Sequence, residues 1–397
     1  MTGLDHLANA LGTARLAWRL SREAPREHAV ERILVLGYAA IGDLLFFLPV
    51  VQALREKYPK AKITWLANAY PTTKELLPAT GLVDEIWLHD WEGPRARAEQ
   101  GGVNVRIMEA RFDLAVLTLS SPAHYFQFGL ASIPVRTGHL RRLEPGPAAG
   151  RVKRALVTGE LARRAVLNRP VRLELAPEHA LTRNLRLLEP LGLTAPFDAR
   201  PALPLSGAPA ARAEKELPGG PWIGVHLALP RGQYGKIWPP ERFGRVCREL
   251  AKTAKARFVL LGAADEAESA AAAKKEFPGF VDLVGRLSLL ESFAAIARCS
   301  LFLSSDTGLA KAAMALGVPT ATWWGPSDVQ EYGAIWDPGR HLDIRTGIWC
   351  SPCSRMGMPR LEGLNYLNCG PRDCLAKLDE DFALSRLRAK YGDLLGA

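Results

Sequence analysis

The fold of this chain is decided by the stretch ILVLGYAAIGDLLFFLPVVQALREKYPKAKITWLA, residues 33 to 67. An apolar run of strand length leads through a turn containing Gly37 into helical spacing over 43–59, and a second strand-like run follows at 62–67. Similar runs occur at 83–89 and 112–119, separated by segments of helix length. Strands that alternate with helices predict a parallel sheet covered on both faces.

A second series of the same kind fills the C-terminal half. Its strand-like runs lie at 222–229, 257–263, 280–285, 301–306 and 320–325, with helical patterns near 240–254, 265–276, 288–298 and 308–317. The segment 193–221 is rich in Pro, Gly and Ala, which indicates a linker. We therefore expect an α/β chain in which two doubly wound, Rossmann-like domains, 1–192 and 222–397, face each other across a cleft.

Length and composition agree with two globular domains. A chain of 397 residues is longer than one hydrophobic core usually organises, and 48% hydrophobic with 23% charged residues excludes global disorder. The apolar positions of residues 4–18 recur at helical spacing among arginines, which predicts an amphipathic helix that packs on the domain or touches anionic lipid. Six cysteines in so long a chain, and the lack of a clean signal core, favour a cytosolic protein without a membrane span.

The net charge of +10 favours an anionic partner, which is nucleic acid, a membrane surface or a phosphorylated substrate. One stretch carries much of it, and its ten basic residues are Arg136, Arg141, Arg142, Arg151, Lys153, Arg154, Arg163, Arg164, Arg169 and Arg172. The stretch is either a solvated basic face or a surface for phosphates and membrane. The sequence contains no zinc-finger array, aromatic RNA-binding signature or helix-turn-helix pattern, which disfavours nucleic acid.

Two turns at strand ends contain candidate functional residues. The first, GYAAIGD (37 to 43), lacks the dinucleotide fingerprint, and its Asp43 is either a helix-capping residue or a general base. In the second, SSDTGLAK (304 to 311), the amides of Thr307, Gly308 and Leu309 would point at a bound anion such as a diphosphate.

Other residues carry weaker signals. Arg231 and Lys236 follow the first strand of the second domain, where they are either solvated or able to neutralise a leaving phosphate. Four cysteines, Cys350, Cys353, Cys369 and Cys374, have the spacing C-x2-C-x15-C-x4-C, which fits a structural zinc site or free thiols. We interpret Cys247 and Cys299 as core residues and His226 as structural first and cleft-lining second.

Five segments in order resemble glycosyltransferase family 9, the family of the lipopolysaccharide heptosyltransferases. They are residues 33–67, KIWPPERFGRV (236 to 246), LLGAADEAES (260 to 269), LVGRLSLLES (283 to 292) and SSDTGLAKAAMALGVPTATWWGPSD (304 to 328). The resemblance implies a GT-B fold whose N-terminal domain binds the acceptor and whose C-terminal domain binds the nucleotide-sugar donor. It further implies inverting transfer of heptose from ADP-heptose with no catalytic metal.

The resemblance assigns roles to individual residues. Asp43 falls on the proposed base, Lys236 on the phosphate-contacting lysine, and Asp306, Thr307 and Gly308 on the phosphate loop. The nucleoside contacts fall on the region of Asp265 and Glu266, with Leu287 near the base. We expect Asp306 to cap the helix or to bond sugar hydroxyls, because a carboxylate and a phosphate repel each other.

The chain departs from the family at three positions. Lys311 stands where many members carry a histidine, and it could serve phosphate as an additional cation. Ala228 and Leu229 stand where many members carry hydroxyl residues. These departures leave the identity of the donor sugar open.

The functional expectation is a cytoplasmic glycosyltransferase that transfers a sugar, heptose by the resemblance, to a lipid-linked or cell-surface glycan. Peripheral contact with the inner face of the cytoplasmic membrane would follow from its basic surfaces. The alternatives are a sugar-nucleotide epimerase or hydrolase of the same architecture and a basic nucleic-acid-binding protein. An epimerase or hydrolase would convert or release the donor without an acceptor.

Overall fold

The computed structural model describes residues 30–37, 40–90, 96–118, 126–140, 160–174, 176–228, 236–353, 369 and 372–395. The chain divides into two compact units, Met1–Ala199 and Arg200–Ala397. The predicted N-terminal amphipathic helix lies outside the described residues. The predicted linker 193–221 includes a helix, Ala208–Glu216, which belongs to the second unit.

The first unit is built on a six-stranded sheet whose described strand pairs are all parallel, in the order β3-β2-β1-β4-β5-β6. Its strands are β1 (Arg32–Leu36), β2 (Lys62–Ala67), β3 (Glu85–Leu88), β4 (Leu114–Leu117), β5 (Val135–Leu140) and β6 (Arg169–Arg172). Its α-helices are α1 (Ile41–Leu45), α2 (Leu48–Lys57), α3 (Leu77–Ala79), α4 (Ala96–Glu109), α5 (Gln127–Ala131), α6 (Glu160–Val166) and α7 (Ala180–Leu185). A π-helical turn, Thr72–Leu76, precedes α3, and a 3-10 turn, Arg186–Leu191, follows α7.

The second unit repeats this plan. Its parallel sheet has the order β12-β11-β10-β7-β8-β9, formed by β7 (Trp222–His226), β8 (Arg257–Leu260), β9 (Phe280–Asp282), β10 (Cys299–Ser305), β11 (Thr320–Trp323) and β12 (Leu342–Ile344). Its α-helices are α8 (Ala208–Glu216), α9 (Pro240–Leu250), α10 (Ala267–Glu276), α11 (Leu289–Ala297), α12 (Gly308–Ala315), α13 (Val329–Tyr332), α14 (Asp373–Ala376) and α15 (Glu380–Leu395). Two 3-10 turns, Ala264–Glu266 and Pro338–Arg340, complete it.

Both sheets have the strand order of the Rossmann fold, in which the first and fourth strands are neighbours. The order reverses between β1 and β4 in the first unit and between β7 and β10 in the second. In open parallel sheets, ligands bind beyond the carboxyl ends of the strands at this reversal, the topological switch point. The turns that contain Asp43 and Thr307 follow β1 and β10, so both lie at a switch point.

A cluster of aromatic rings forms part of the second unit's core. Trp238 is fully buried, stacks on Trp323 with ring centroids 5.2 Å apart, and meets the edge of Phe243 at 5.0 Å. Burial of one large apolar side chain contributes about 1.5–3 kcal/mol to stability. The loop that contains Lys236 is thus anchored two residues later in the core.

The first helix differs from its prediction. The helical pattern over 43–59 predicts one helix, but the structure has two, α1 and α2, separated by Phe46 and Phe47. The Phe47 ring is buried against Trp65 with centroids 5.7 Å apart. Both phenylalanines at this break are buried.

Candidate functional site

The turn after β10 forms the start of α12. Thr307 is the N-cap residue, and its hydroxyl accepts a hydrogen bond from the Ala310 amide at 3.3 Å. The expectation that Asp306 caps this helix is therefore wrong. The first amides of a helix, here those of Gly308 and Leu309, have no carbonyl in a preceding turn, and the helix dipole places partial positive charge beside them. This turn has the features of an anion site.

Asp306 is buried between two lysines. Its Oδ1 lies 2.7 Å from Lys311 Nζ, and its Oδ2 lies 3.5 Å from Lys236 Nζ. The Asp306 and Lys311 side chains are only 6% and 4% exposed, and the Lys311 ammonium also lies 4.3 Å from the centre of the Trp324 ring. The structure thus places Lys311 under the turn as a counter-ion of Asp306, while Lys236 is more exposed.

Opposing effects act on this buried pair. Burial alone would raise the pKa of Asp306, but the positive charges of Lys311 and Lys236 outweigh it and hold this pKa well below its usual range. Burial lowers the pKa of Lys311, and the Asp306 carboxylate opposes that effect. Asp306 thus lies between two cationic side chains next to the first turn of α12.

Lys236 is the first described residue of the loop that precedes α9. Two residues later, the Trp238 amide donates to Ser305 Oγ at 3.0 Å, and Trp238 Nε1 donates to the Leu378 carbonyl at 2.9 Å. These bonds fix the lysine-bearing segment to the end of β10. Arg231, the other predicted cation of this loop, lies outside the described residues.

His226 ends β7 and connects three strand ends. Its Nδ1 lies 2.9 Å from Thr307 Oγ1, and its Nε2 lies 3.2 Å from Glu266 Oε2. The side chain is buried, so these contacts exclude solvent. The sequence predicts His226 as structural first and cleft-lining second, because its partners are 81 and 40 positions away along the chain.

Glu266 closes the 3-10 turn after β8. Its Oε2 accepts a hydrogen bond from the Ala263 amide at 3.2 Å. A Cβ atom at Gly262 would overlap this carboxylate oxygen, so only glycine leaves room for Glu266 in its present position. Of the other two residues predicted near the nucleoside, Asp265 is exposed and Leu287 is half-buried.

Asp43 is the third residue of α1, at the switch point of the first sheet. Ala40 occupies the N-cap position, so Asp43 is not the helix-capping residue. Asp43 is half-buried. The turn before it needs Gly37, because a Cβ atom there would overlap the buried indole of Trp65. Its role as a base stays a prediction.

Part of the basic stretch is structural. Arg136 lies in β5 and is buried, and it donates to the backbone carbonyls of Ile133 and Val166. Burial lowers the pKa of Arg136 to about 10. Arg163 is also buried and donates to the Thr118 carbonyl at 2.6 Å. Neither arginine belongs to a solvated or membrane-binding face, and Arg141, Arg142, Arg151, Lys153 and Arg154 lie outside the described residues.

The four C-terminal cysteines are free thiols that act on one another electrostatically. Burial, followed by the charges of Cys353, Cys350 and Cys369, raises the pKa of Cys374 to about 11. In the part of the chain that the structure describes, no group of three or more His, Cys, Asp or Glu side chains is arranged to hold a metal ion. Zinc binding stays a prediction. Cys247 and Cys299 are buried, as predicted.

Among the described residues, no helix is both long and apolar enough to cross a membrane.

Solved structures share this fold over nearly the whole chain. The glycosyltransferase family 9 structure from Veillonella parvula matches with a TM-score of 0.70 and 18% identity, covering 93% of this chain and 99% of that one. The ADP-heptose lipopolysaccharide heptosyltransferase II of E. coli matches with a TM-score of 0.63 and 21% identity, covering 92% and 98%. E. coli WaaC with ADP-2-deoxy-2-fluoro heptose matches with a TM-score of 0.61 and 19% identity, covering 90% and 99%. The fold is GT-B, as predicted.

The sequence places the chain within a family. The model of glycosyltransferase family 9 (heptosyltransferase) matches residues 149–361, more than half of the chain. The protein therefore belongs to glycosyltransferase family 9 and is a glycosyltransferase. Comparison with curated proteins gives no match.

Proposed function

We propose that this protein transfers heptose from ADP-heptose, with inversion, to a lipid-linked or cell-surface glycan. The anion site at the second switch point is the observation that carries the proposal, because a departing nucleoside diphosphate requires such a site. There Lys236 and the first amides of α12 adjoin a buried carboxylate whose charge Lys311 neutralises. Family membership and the ADP-heptose analogue in the matched WaaC structure support this donor class.

The proposed reaction is a direct displacement at the anomeric carbon. An acceptor hydroxyl oxygen forms a bond to this carbon, and Asp43 takes the hydroxyl proton. The bond from the carbon to the diphosphate oxygen breaks, and its electron pair leaves with ADP. Lys236 and the Gly308 and Leu309 amides stabilise the negative charge that develops on that oxygen.

The base role of Asp43 is tested by D43N, which keeps the side-chain size and removes the basic oxygen. General-base catalysis accounts for about 10²–10⁴ in rate, so we expect transfer to fall by about a thousandfold while the dissociation constant for ADP stays within about twofold. The matched control is D198N, which changes an exposed aspartate of the same unit and should retain wild-type activity. Full turnover by D43N would reject the base role.

The donor is tested by incubating the wild-type protein with ADP-, UDP- and GDP-sugars, with and without a lipid-linked glycan acceptor. We expect nucleoside diphosphate release to depend on the acceptor and to be fastest with ADP-heptose. Release without acceptor would instead indicate a hydrolase, and a faster UDP- or GDP-sugar would reject the ADP assignment. A lipopolysaccharide-type acceptor would place the protein on the cytoplasmic side of cell-envelope biosynthesis.

We also propose that Cys350, Cys353, Cys369 and Cys374 hold a structural zinc ion. Zinc binds four thiolate ligands in such sites. Burial, followed by the charges of the other three cysteines, raises the pKa of Cys374, and a bound dication would oppose both effects. We expect about one equivalent of zinc after anaerobic purification and loss of most of it in C353S. The buried C247S variant is the control and should keep the metal. Protein without stoichiometric zinc would reject the site.

A further inference from the structure

Four side chains form a continuous hydrogen-bonded chain at the second switch point. Ser304 Oγ lies 2.9 Å from Thr307 Oγ1, which lies 2.9 Å from His226 Nδ1. On the other side of the ring, His226 Nε2 lies 3.2 Å from Glu266 Oε2. These hydrogen bonds therefore connect the turn after β10 with the turn after β8 through one imidazole at the end of β7.

The carboxylate fixes the direction of one contact. An ionised carboxylate only accepts hydrogen bonds, so His226 Nε2 carries a hydrogen and donates to Glu266. On the other side of the ring, His226 Nδ1 bonds Thr307 Oγ1, and Ser304 Oγ lies 3.4 Å from the same nitrogen. Thr307 Oγ1 also accepts from the Ala310 amide. The imidazole therefore joins the two turns whichever group is the donor on the Nδ1 side.

The two ends of this chain belong to different parts of a nucleoside diphosphate site. Thr307 caps α12, whose first amides form the predicted phosphate site. Glu266 is held by His226 and the Ala263 amide in the turn predicted to contact the nucleoside. Loss of the imidazole would release both ends, whereas a substitution that keeps one ring nitrogen would release one.

We propose that His226 is a positioning residue for the nucleotide-sugar donor. Its two ring nitrogens hold the Thr307 turn in position for the diphosphate and the Glu266 carboxylate in position for the ribose hydroxyls. This inference rests on the proposed function, since it assumes that the second unit binds a nucleoside diphosphate.

Two substitutions separate the functions of the two ring nitrogens. The amide of asparagine lies two bonds beyond Cβ, as Nδ1 does, so H226N keeps the contact with Thr307 and loses the one with Glu266. The amide of glutamine lies three bonds beyond Cβ, as Nε2 does, so H226Q keeps the contact with Glu266 and loses the one with Thr307. E268Q, at an exposed position of α10, is the control.

The measurement is calorimetric titration with ADP and with 2′,3′-dideoxy-ADP, which lacks the ribose hydroxyls. We expect H226N to weaken ADP binding by about tenfold, the usual effect of one hydrogen bond to a charged group, and to leave dideoxy-ADP binding within about twofold of wild type. H226Q should weaken both ligands by the same factor, because its defect lies at the phosphate turn. In the E266Q background, H226N should add no further loss for ADP.

The inference is overturned if both variants bind both ligands as wild type does. It is also overturned if both variants weaken the two ligands equally while their melting temperatures fall in parallel, because that is the result of a merely structural role. Failure of the proposed function gives a different result: the wild-type protein itself then binds none of ADP, UDP and GDP. If wild type prefers UDP or GDP, the same titrations use that diphosphate and its dideoxy form.

Discussion

The two sheets of this protein accommodate buried charge in different ways. In the first unit, the buried cations Arg136 and Arg163 donate to backbone carbonyls of neighbouring strands and helices. In the second unit, buried Lys311 pairs with the carboxylate of Asp306. Carbonyl oxygens satisfy the donors of an arginine without cancelling its charge, whereas a carboxylate cancels the charge of a lysine.

This difference separates structural from functional charge. Arg136 and Arg163 donate to carbonyls that connect α6 with β5 and with Thr118, the residue after β4. The second unit instead concentrates charge at its switch point, where Asp306 pairs with both Lys311 and Lys236. The net charge of the chain therefore says less about its ligands than the location of a few paired groups does.

Breaking the Asp306–Lys311 pair should have the largest effect on stability. D306N leaves buried Lys311 without its carboxylate, so it should lower the free energy of unfolding by about 3–5 kcal/mol, measured by urea denaturation. K311M leaves Asp306 with Lys236 at 3.5 Å, so its loss should be smaller. The double variant D306N/K311M contains neither charge, so we expect it to recover most of the loss of either single variant. Losses that simply add would show that the two residues do not act as a pair.

Removal of a carbonyl-bound arginine should have a smaller effect. R136M leaves the buried carbonyls of Ile133 and Val166 without a donor, which should cost about 2–4 kcal/mol in unfolding free energy. R169M is the matched control, because Arg169 also donates to a carbonyl, that of Pro190, but is exposed. We expect R169M to stay within about 0.5 kcal/mol of wild type. Equal losses for the two variants would contradict the distinction between structural and surface arginines.

The sequence predicts the strands that are continuous apolar runs. The core strands β1, β2, β4, β7, β8, β10 and β11 coincide with or overlap predicted runs, because buried parallel strands are covered on both faces. The structure begins β10 at Cys299, two residues before the predicted run. Three strands were missed: β5 (VRTGHL), β6 (RPVR) and β12 (LDI). Arg136 and His139 make β5 look like a polar loop, since the partners that satisfy them lie up to 44 positions away.

The site shows the same limit. Local sequence predicts an anion site at the turn with Thr307, because helix caps and small residues are visible along the chain. The role of Asp306 as the carboxylate between two lysines depends on Lys236, 70 positions earlier. His226 likewise gains a role only through contacts with Thr307 and Glu266. Contacts between strands distant in sequence, which periodicity does not encode, supply the rest of the site.

The prediction with the smallest effect at neutral pH concerns a buried histidine of β5 and the dependence of stability on pH. His139 is buried, and its Nε2 donates to the Arg183 carbonyl at 2.8 Å. Burial, which outweighs this hydrogen bond, lowers the pKa of His139 to about 3 from 6.5. Between these two values the unfolded chain binds a proton that the folded chain does not, so acid favours unfolding.

The contribution of His139 to stability is therefore complete above pH 6.5 and is lost as the pH falls toward 3. In this window, the one additional proton on the unfolded chain changes the free energy of unfolding by about 1.4 kcal/mol per pH unit. H139Q keeps a donor at the Nε2 position but does not titrate, so its unfolding free energy should fall less steeply with acid than that of wild type. Hydrogen exchange of β5 amides at pH 6.5, 5.5 and 4.5 measures this difference in the first unit.

A matched histidine in the second unit tests whether the pH effect follows burial. His341 Nδ1 bonds Thr320 Oγ1 at 2.9 Å, and burial lowers the pKa of His341 to about 4. H341N keeps the Nδ1 position, so it should reduce the acid sensitivity of β11 and β12 over the narrower window from pH 6.5 to about 4.

If H139Q and wild type respond identically to acid, His139 is protonated or solvated in the folded protein, and the first unit does not hold it as a neutral group.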